Sequence, residues 1–247
     1  MSPVDCIFLD PARRNEHGGK TVAISDCEPN VAELEGLLLS KANRIMIKLS
    51  PMLDLSQALK ELPHTQEVHI ISVNNECKEL LLLLGQTAPE EIPVHCVNLS
   101  TKGEQEKQLF VFTREQEQHS ECSYTDTLGN YLYEPNASLL KAGAFRSIAV
   151  AYSVKKLHPN SHLYTSETQI EGFPGRTFRI INRCSLNKKE IKENLSDLKK
   201  ANITVRNFPA TVAELRKRIK LAEGGDTYLF ASTLNDGQKI LIRCGKV

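Results

Sequence analysis

Short apolar runs that stop abruptly at a polar or proline-containing turn recur through the front of this chain, and they leave few folds open. Val4–Leu9 (VDCIFL) stops at Asp10-Pro11, Ile45–Leu49 at Ser50-Pro51, and Val68–Val73 at Asn74-Asn75. Runs of this length and composition fit strands buried inside a sheet. Between them, Val31, Leu34, Leu37 and Leu38 fall at helical spacing behind Asn30, which is placed as an N-cap. Asp54 is positioned to cap a short helix running to Leu62, and Glu76–Leu84 predicts another helix. Val94–Leu99 and Gln108–Thr113 read as a β-hairpin joined by the polar stretch 100–107. Strands alternating with helices imply an α/β fold, a mostly parallel sheet with helices on its faces, closed here by an antiparallel pair.

The polar stretch Arg114–Ser123 (REQEQHSECS) is the clearest break in composition. After it, Tyr124–Glu171 is rich in aromatic and turn residues and holds one helix candidate, Ala137–Val150, behind Asn136. Its tyrosines and Phe145 are assigned to core packing. Gly172–Arg176 (GFPGR) reads as a hinge. Beyond it the pattern is strand (Thr177–Asn182), helix (Asn187–Lys200), strand (Ile203–Arg206), helix (Thr211–Lys220) and two strands (Thr227–Ser232, Lys239–Arg243), enough for a small α/β domain. The expected division is 1–118, 119–171 and 172–247.

Net charge of +1 conceals an asymmetry. Residues 172–247 hold 16 of the 31 basic but only 7 of the 30 acidic residues, so this segment carries +9 and the rest −8. A strongly basic terminal domain invites a polyanion. The seven cysteines include no C-x-x-C pair and read as free thiols, with Cys6 and Cys96 as small core residues. The seven histidines do not complete a metal site at the usual spacings along the chain, so no metal is expected. No run approaches the roughly 20 apolar residues needed to span a bilayer, and no signal peptide is recognisable, which makes the cytoplasm the expected location.

Asp10-Pro11-Ala12-Arg13-Arg14 follows directly on a buried strand, where open α/β sheets place their ligands. Pro11 stiffens the loop, and Arg13 and Arg14 could clamp a phosphate or carboxylate. A tight strand-to-loop turn accounts for the Asp-Pro pair equally well. Lys48 and Ser50 end the next strand beside this loop, where lysine could contact substrate or simply snorkel. Asn74, Asn75 and Glu76 could line the same cleft or open a helix. In the last domain Arg176, Arg179, Arg206 with Phe208, and Arg216, Lys217 and Arg218 are the candidates for holding a polyanion. The even spacing of Arg179 and Arg183 would put both on one strand face.

Several segments in order, FLDPARR, IKLSPMLD (Ile47–Asp54), VNNECKELLLLL (Val73–Leu84), YEPNASLLKAGAF (Tyr133–Phe145), FPGRTF (Phe173–Phe178) and NITVRNFP (Asn202–Pro209), resemble class I methyltransferases with a THUMP-like C-terminal domain from Bacteroides-type bacteria. The resemblance implies the C-terminal half of a Rossmann-like methyltransferase sheet, a small ferredoxin-like segment and a THUMP-like domain. It also implies S-adenosyl-L-methionine as methyl donor and RNA as partner. Asp10 and Pro11 then take the place of the first two residues of the (D/N)-P-P-(Y/F) catalytic loop, in which the acid orients a target amino group. Ala12 and Arg13 stand where that loop has proline and an aromatic, so Arg13 would have to stack on a base or grip a phosphate. The sequence has no G-x-G-x-x-G loop. The resemblance therefore places the donor-binding half upstream, and the chain alone is expected to be a truncated form that does not bind the donor tightly. Two rival readings remain: a non-catalytic RNA-binding protein on a degenerate methyltransferase scaffold, and a methyltransferase for a small molecule or protein.

Overall fold

The computed structural model describes residues 4–13, 23–101 and 107–247, and Arg14 lies outside them. The chain divides into two compact units, Met1–His119 with Asn136–Ala144, and Ser120–Pro135 with Phe145–Val247.

The first unit contains β1 (Val4–Leu9), β2 (Ala12–Arg13), β3 (Cys27–Glu28), α1 (Val31–Lys41), β4 (Ala42–Leu49), α2 (Leu55–Glu61), β5 (Thr65–Val73), β6 (Glu76–Gly85), β7 (Pro93–Leu99), β8 (Lys107–Thr113), α3 (Arg114–His119) and α4 (Ala137–Ala142). Six strands form one sheet in the order β1-β4-β6-β5-β7-β8, and β2 pairs separately with β3. The β1/β4 and β5/β7 pairs are parallel; β6 runs antiparallel to both of its neighbours, and β8 to β7. Alternate residues Ile45, Ile47, Val68, Ile70, Leu80, Leu82, Leu84, Val94 and Cys96 are fully buried on one face. Helix α4 packs on β5, β6 and β7 there, and α1 lies against β4. On the opposite face Met46, Lys48, Leu81, Leu83, His69, Ile71 and His95 are only half-buried.

Segment 76–84 is a strand, not the helix its apolar run suggests. Asn74 and Asn75 both hold positive φ, 51° and 64°, which turns the chain straight back into β6 beside β5. A five-leucine run is apolar at either period, so the tight turn and the space between β4 and β5 decide the outcome. Asn75 also serves the structure directly, since its Oδ1 accepts the backbone N–H of Ala137 at 2.8 Å, at the start of α4. Asp54 caps α2 through Gln57 N–H at 2.9 Å, as its position predicts. Asn30 occupies the N-cap position of α1 but makes no side-chain cap bond there; its Nδ2 donates to Glu33 instead. Cys96 is buried, but Cys6 is exposed because β1 ends the strand order. All seven cysteines are free.

The second unit contains β9 (Tyr131–Pro135), α5 (Ser147–Ala151), β10 (Lys155–Lys156), β11 (Tyr164–Ser166), β12 (Gly175–Cys184), α6 (Lys188–Leu195), β13 (Asn202–Val205), α7 (Val212–Ile219), β14 (Thr227–Thr233) and β15 (Lys239–Lys246). They form one seven-stranded sheet, β10-β11-β9-β12-β15-β14-β13. The single helix expected at 137–150 is two helices, because Gly143 adopts a left-handed φ of 78° and ends α4. Asn136 caps α4, Asn187 caps α6, and Thr211 forms a capping box with Glu214 on α7. One core cluster joins Phe178, Phe230, Ile242 and Cys244; a second, under α6 and α7, joins Leu195, Leu215, Leu229 and Leu241. Arg179 and Arg183 lie on opposite faces of β12, contrary to their even spacing. A bulge between Ile180 and Asn182 shifts the register, so Arg179 stands opposite Gly245 and Arg183 opposite Ile242, an odd number of positions apart on β15. No helix among the described residues is long and apolar enough to cross a membrane.

Candidate active site

β1 and β4 are parallel neighbours, so their carboxyl ends deliver Asp10 and Lys48 side by side. Lys48 Nζ lies 2.7 Å from Asp10 Oδ2 and 3.7 Å from Glu79 Oε2. The hydrogen bond from Lys48 to Asp10 is the chief cause that holds the lysine above its ordinary pKa, against a smaller opposing loss of hydration. Asp10 is exposed and Pro11 buried, so the loop is anchored on the proline and presents the carboxylate outward. A cleft of roughly 280 Å³ runs along these strand ends, lined among others by Asp10, Pro11, Lys48, Ser50, Lys78 and Glu79. The hydroxyl of Ser50 accepts the N–H of Met52 and so shapes the turn at the cleft wall.

Four of the sequence candidates, Asp10, Pro11, Lys48 and Ser50, thus meet in one cleft. Arg13 contributes its backbone to β2; its side chain, and all of Arg14, lie outside the described residues. Asn74, Asn75 and Glu76 form the β5–β6 turn and are not among the cleft residues. Glu79 is the cleft member that apolar periodicity conceals. The Asn-Asn pair is its signal: as a two-residue hairpin turn, it places Glu79 on a strand beside Lys48.

The basic candidates of the second unit fall into two groups. Arg176 and Arg206 converge on Glu134, whose carboxylate is only 2% exposed: Arg206 Nη2 donates to Oε1 at 2.8 Å and Arg176 Nε to Oε2 at 2.9 Å. The Arg176 guanidinium also lies 5.4 Å from the ring centroid of Phe178. Phe208 packs against the core under α6 and α7 rather than standing free. On α7, Arg216 is half-buried and donates to Ala201 O, while Lys217 and Arg218 are exposed, with Arg218 also donating to Leu186 O. Arg179 is exposed on β12.

These features define a two-sheet α/β chain whose second sheet joins a ferredoxin-like segment to a THUMP-like domain: residues 131–174 match the family model of a ferredoxin-like domain, and residues 175–246 that of a THUMP domain-like family. Over 98% of its length the chain is similar, at 40% identity and a TM-score of 0.88, to the crystal structure described as a "putative methyltransferase from Porphyromonas gingivalis W83". It spans 60% of the length of that chain. No curated protein matches it by sequence.

Proposed function

We propose that this chain serves an S-adenosylmethionine-dependent methyltransferase that modifies structured RNA in the cytoplasm. The Asp10 loop stands on the acceptor side, and the THUMP-like domain provides the RNA handle. The observation that carries the reading is the Asp10–Lys48 pair at the carboxyl ends of two adjacent parallel strands. Lys48 takes one carboxylate oxygen of Asp10 and so fixes its orientation. On this reading the other oxygen and the Asp10 carbonyl accept N–H bonds from an amino group, aligning its lone pair for attack. This is a positioning role, worth rate through geometry rather than through strong base chemistry. Arg13 and Arg14 are proposed to grip the substrate, with Ser50 on the cleft wall.

The bound donor would supply an electrophilic methyl group. The described residues of the cleft, which include the charged Asp10, Lys48, Lys78 and Glu79 and no glycine, do not form a pocket for it. RNA is favoured by the THUMP-like match together with the +9 charge of residues 172–247. Within that surface the exposed Arg179, Lys217 and Arg218 are the better phosphate contacts, because Arg176 and Arg206 are already committed to Glu134.

The test is transfer of labelled methyl into total RNA by the full-length protein. Asp10→Ala is expected to lose transfer by roughly a hundredfold while keeping its fold. Undiminished transfer by that variant, or label appearing only in protein or small molecules, would overturn the reading. RNA affinity should fall with salt, by ~0.7 in log K per log unit of salt for each phosphate contacted in a single strand.

A further inference from the structure

We propose that Glu67, His69 and His95 bind a divalent transition-metal ion of the zinc, cobalt or nickel class on the half-open face of the six-stranded sheet. The inference is independent of the proposed methyl transfer. His69 on β5 and His95 on β7 are direct partners in a parallel ladder, and Glu67, two residues before His69, shares their face. The two imidazoles stack with centroids 4.4 Å apart and planes 9° from parallel. Glu67 Oε2 stands 3.1 Å from His69 Nε2 and 4.0 Å from His95 Nε2, and the three donor atoms all lie within 4.8 Å of one another.

A tetrahedral ion bound at ordinary zinc distances has its donors about 3.3 Å apart. The Glu67–His69 edge already matches that separation. The remaining edges close if one imidazole rotates out of the stack about χ2, a broad and soft torsion. Two imidazoles and one carboxylate suit a borderline cation and leave a position for water. The histidine side chains are 25% and 26% exposed, open enough for an ion to enter. Leu81, opposite His69, and Val111, opposite His95, flank the cluster with apolar groups. The two histidines are remote in sequence and only strand register unites them, which is why spacing along the chain does not display the set.

The experiment titrates the intact, chelator-treated protein with Zn²⁺ by calorimetry and with Co²⁺ by visible absorption at neutral pH. Saturable one-to-one binding is expected, with the d–d bands of a low-coordinate cobalt site. His69→Gln and His95→Gln should each weaken binding by at least about tenfold, while His119→Gln, at an exposed position on α3, should leave it unchanged. Should the variants misfold, diethylpyrocarbonate labelling of the wild type replaces them: Zn²⁺ must protect His69 and His95. Absence of saturable binding, equal weakening by His119→Gln, or unchanged labelling of both histidines would overturn the proposal. In that case the cluster is a hydrogen-bonded carboxylate–imidazole pair and nothing more.

Discussion

Glu134 and Arg206, 72 positions apart in sequence, meet through a 2.8 Å hydrogen bond in the second unit. Glu134 sits on β9, in the ferredoxin-like segment, and Arg206 follows β13, in the THUMP-like domain. With Arg176 on β12 the carboxylate ties the two matched segments into one folding unit. Arg206→Ala strands part of a buried charge. Because the arginine side chain is 37% exposed, the full cost of a broken buried pair is discounted to about 1–3 kcal/mol. Urea denaturation should show this loss, whereas Lys217→Ala should stay within about 0.5 kcal/mol. The effects of the two variants on RNA affinity should rank in the opposite order.

Lys48 fixes the Asp10 carboxylate while remaining partly exposed itself. Lys48→Met should therefore leave the urea midpoint almost unchanged and reduce methyl transfer by roughly ten- to a hundredfold. Equal activity in variant and wild type would remove Lys48 from the site.

His162 makes stability depend on pH. Burial, aided by Lys156 and Arg206, lowers its pKa from 6.5 to about 4. Below pH 6.5 the unfolded chain takes up a proton that the folded chain refuses until about pH 4, so stability falls as pH drops through that window and rises as pH climbs. His162 also holds a φ of 52°, which asparagine tolerates. His162→Asn should flatten the pH dependence between these limits, as measured by thermal melts at a series of pH values.

Gly175 opens β12 against β9. A Cβ built there would collide with the carbonyl oxygen of Glu134, a backbone atom that cannot swing away. Gly175→Ala should cost about 2–3 kcal/mol and loosen the Glu134–Arg176 contact. Gly172→Ala meets no atom nearby and costs only the strain of its φ of 69°. The two denaturation midpoints compared directly provide the check.

What the chain specifies locally is legible along its length. Asp54, Asn136, Asn187 and Thr211 cap the helices that follow them, because a cap needs only a side-chain oxygen within reach of the next few N–H groups. Strand β1 and its terminal Asp10-Pro11, the β7–β8 hairpin and the strand–helix order of the last domain are readable from period and turn residues alone. Tertiary structure decided the rest. It made Leu80–Leu84 a central strand and so brought Glu79 to Lys48. It separated Arg179 from Arg183 by one bulge, turned Arg176 and Arg206 inward to Glu134, and set His69 beside His95. Each of these depends on which residue lies opposite which across a strand pair. Register is a non-local quantity, set by turn geometry and by the burial of a whole sheet face at once, and periodicity along one strand carries no record of it.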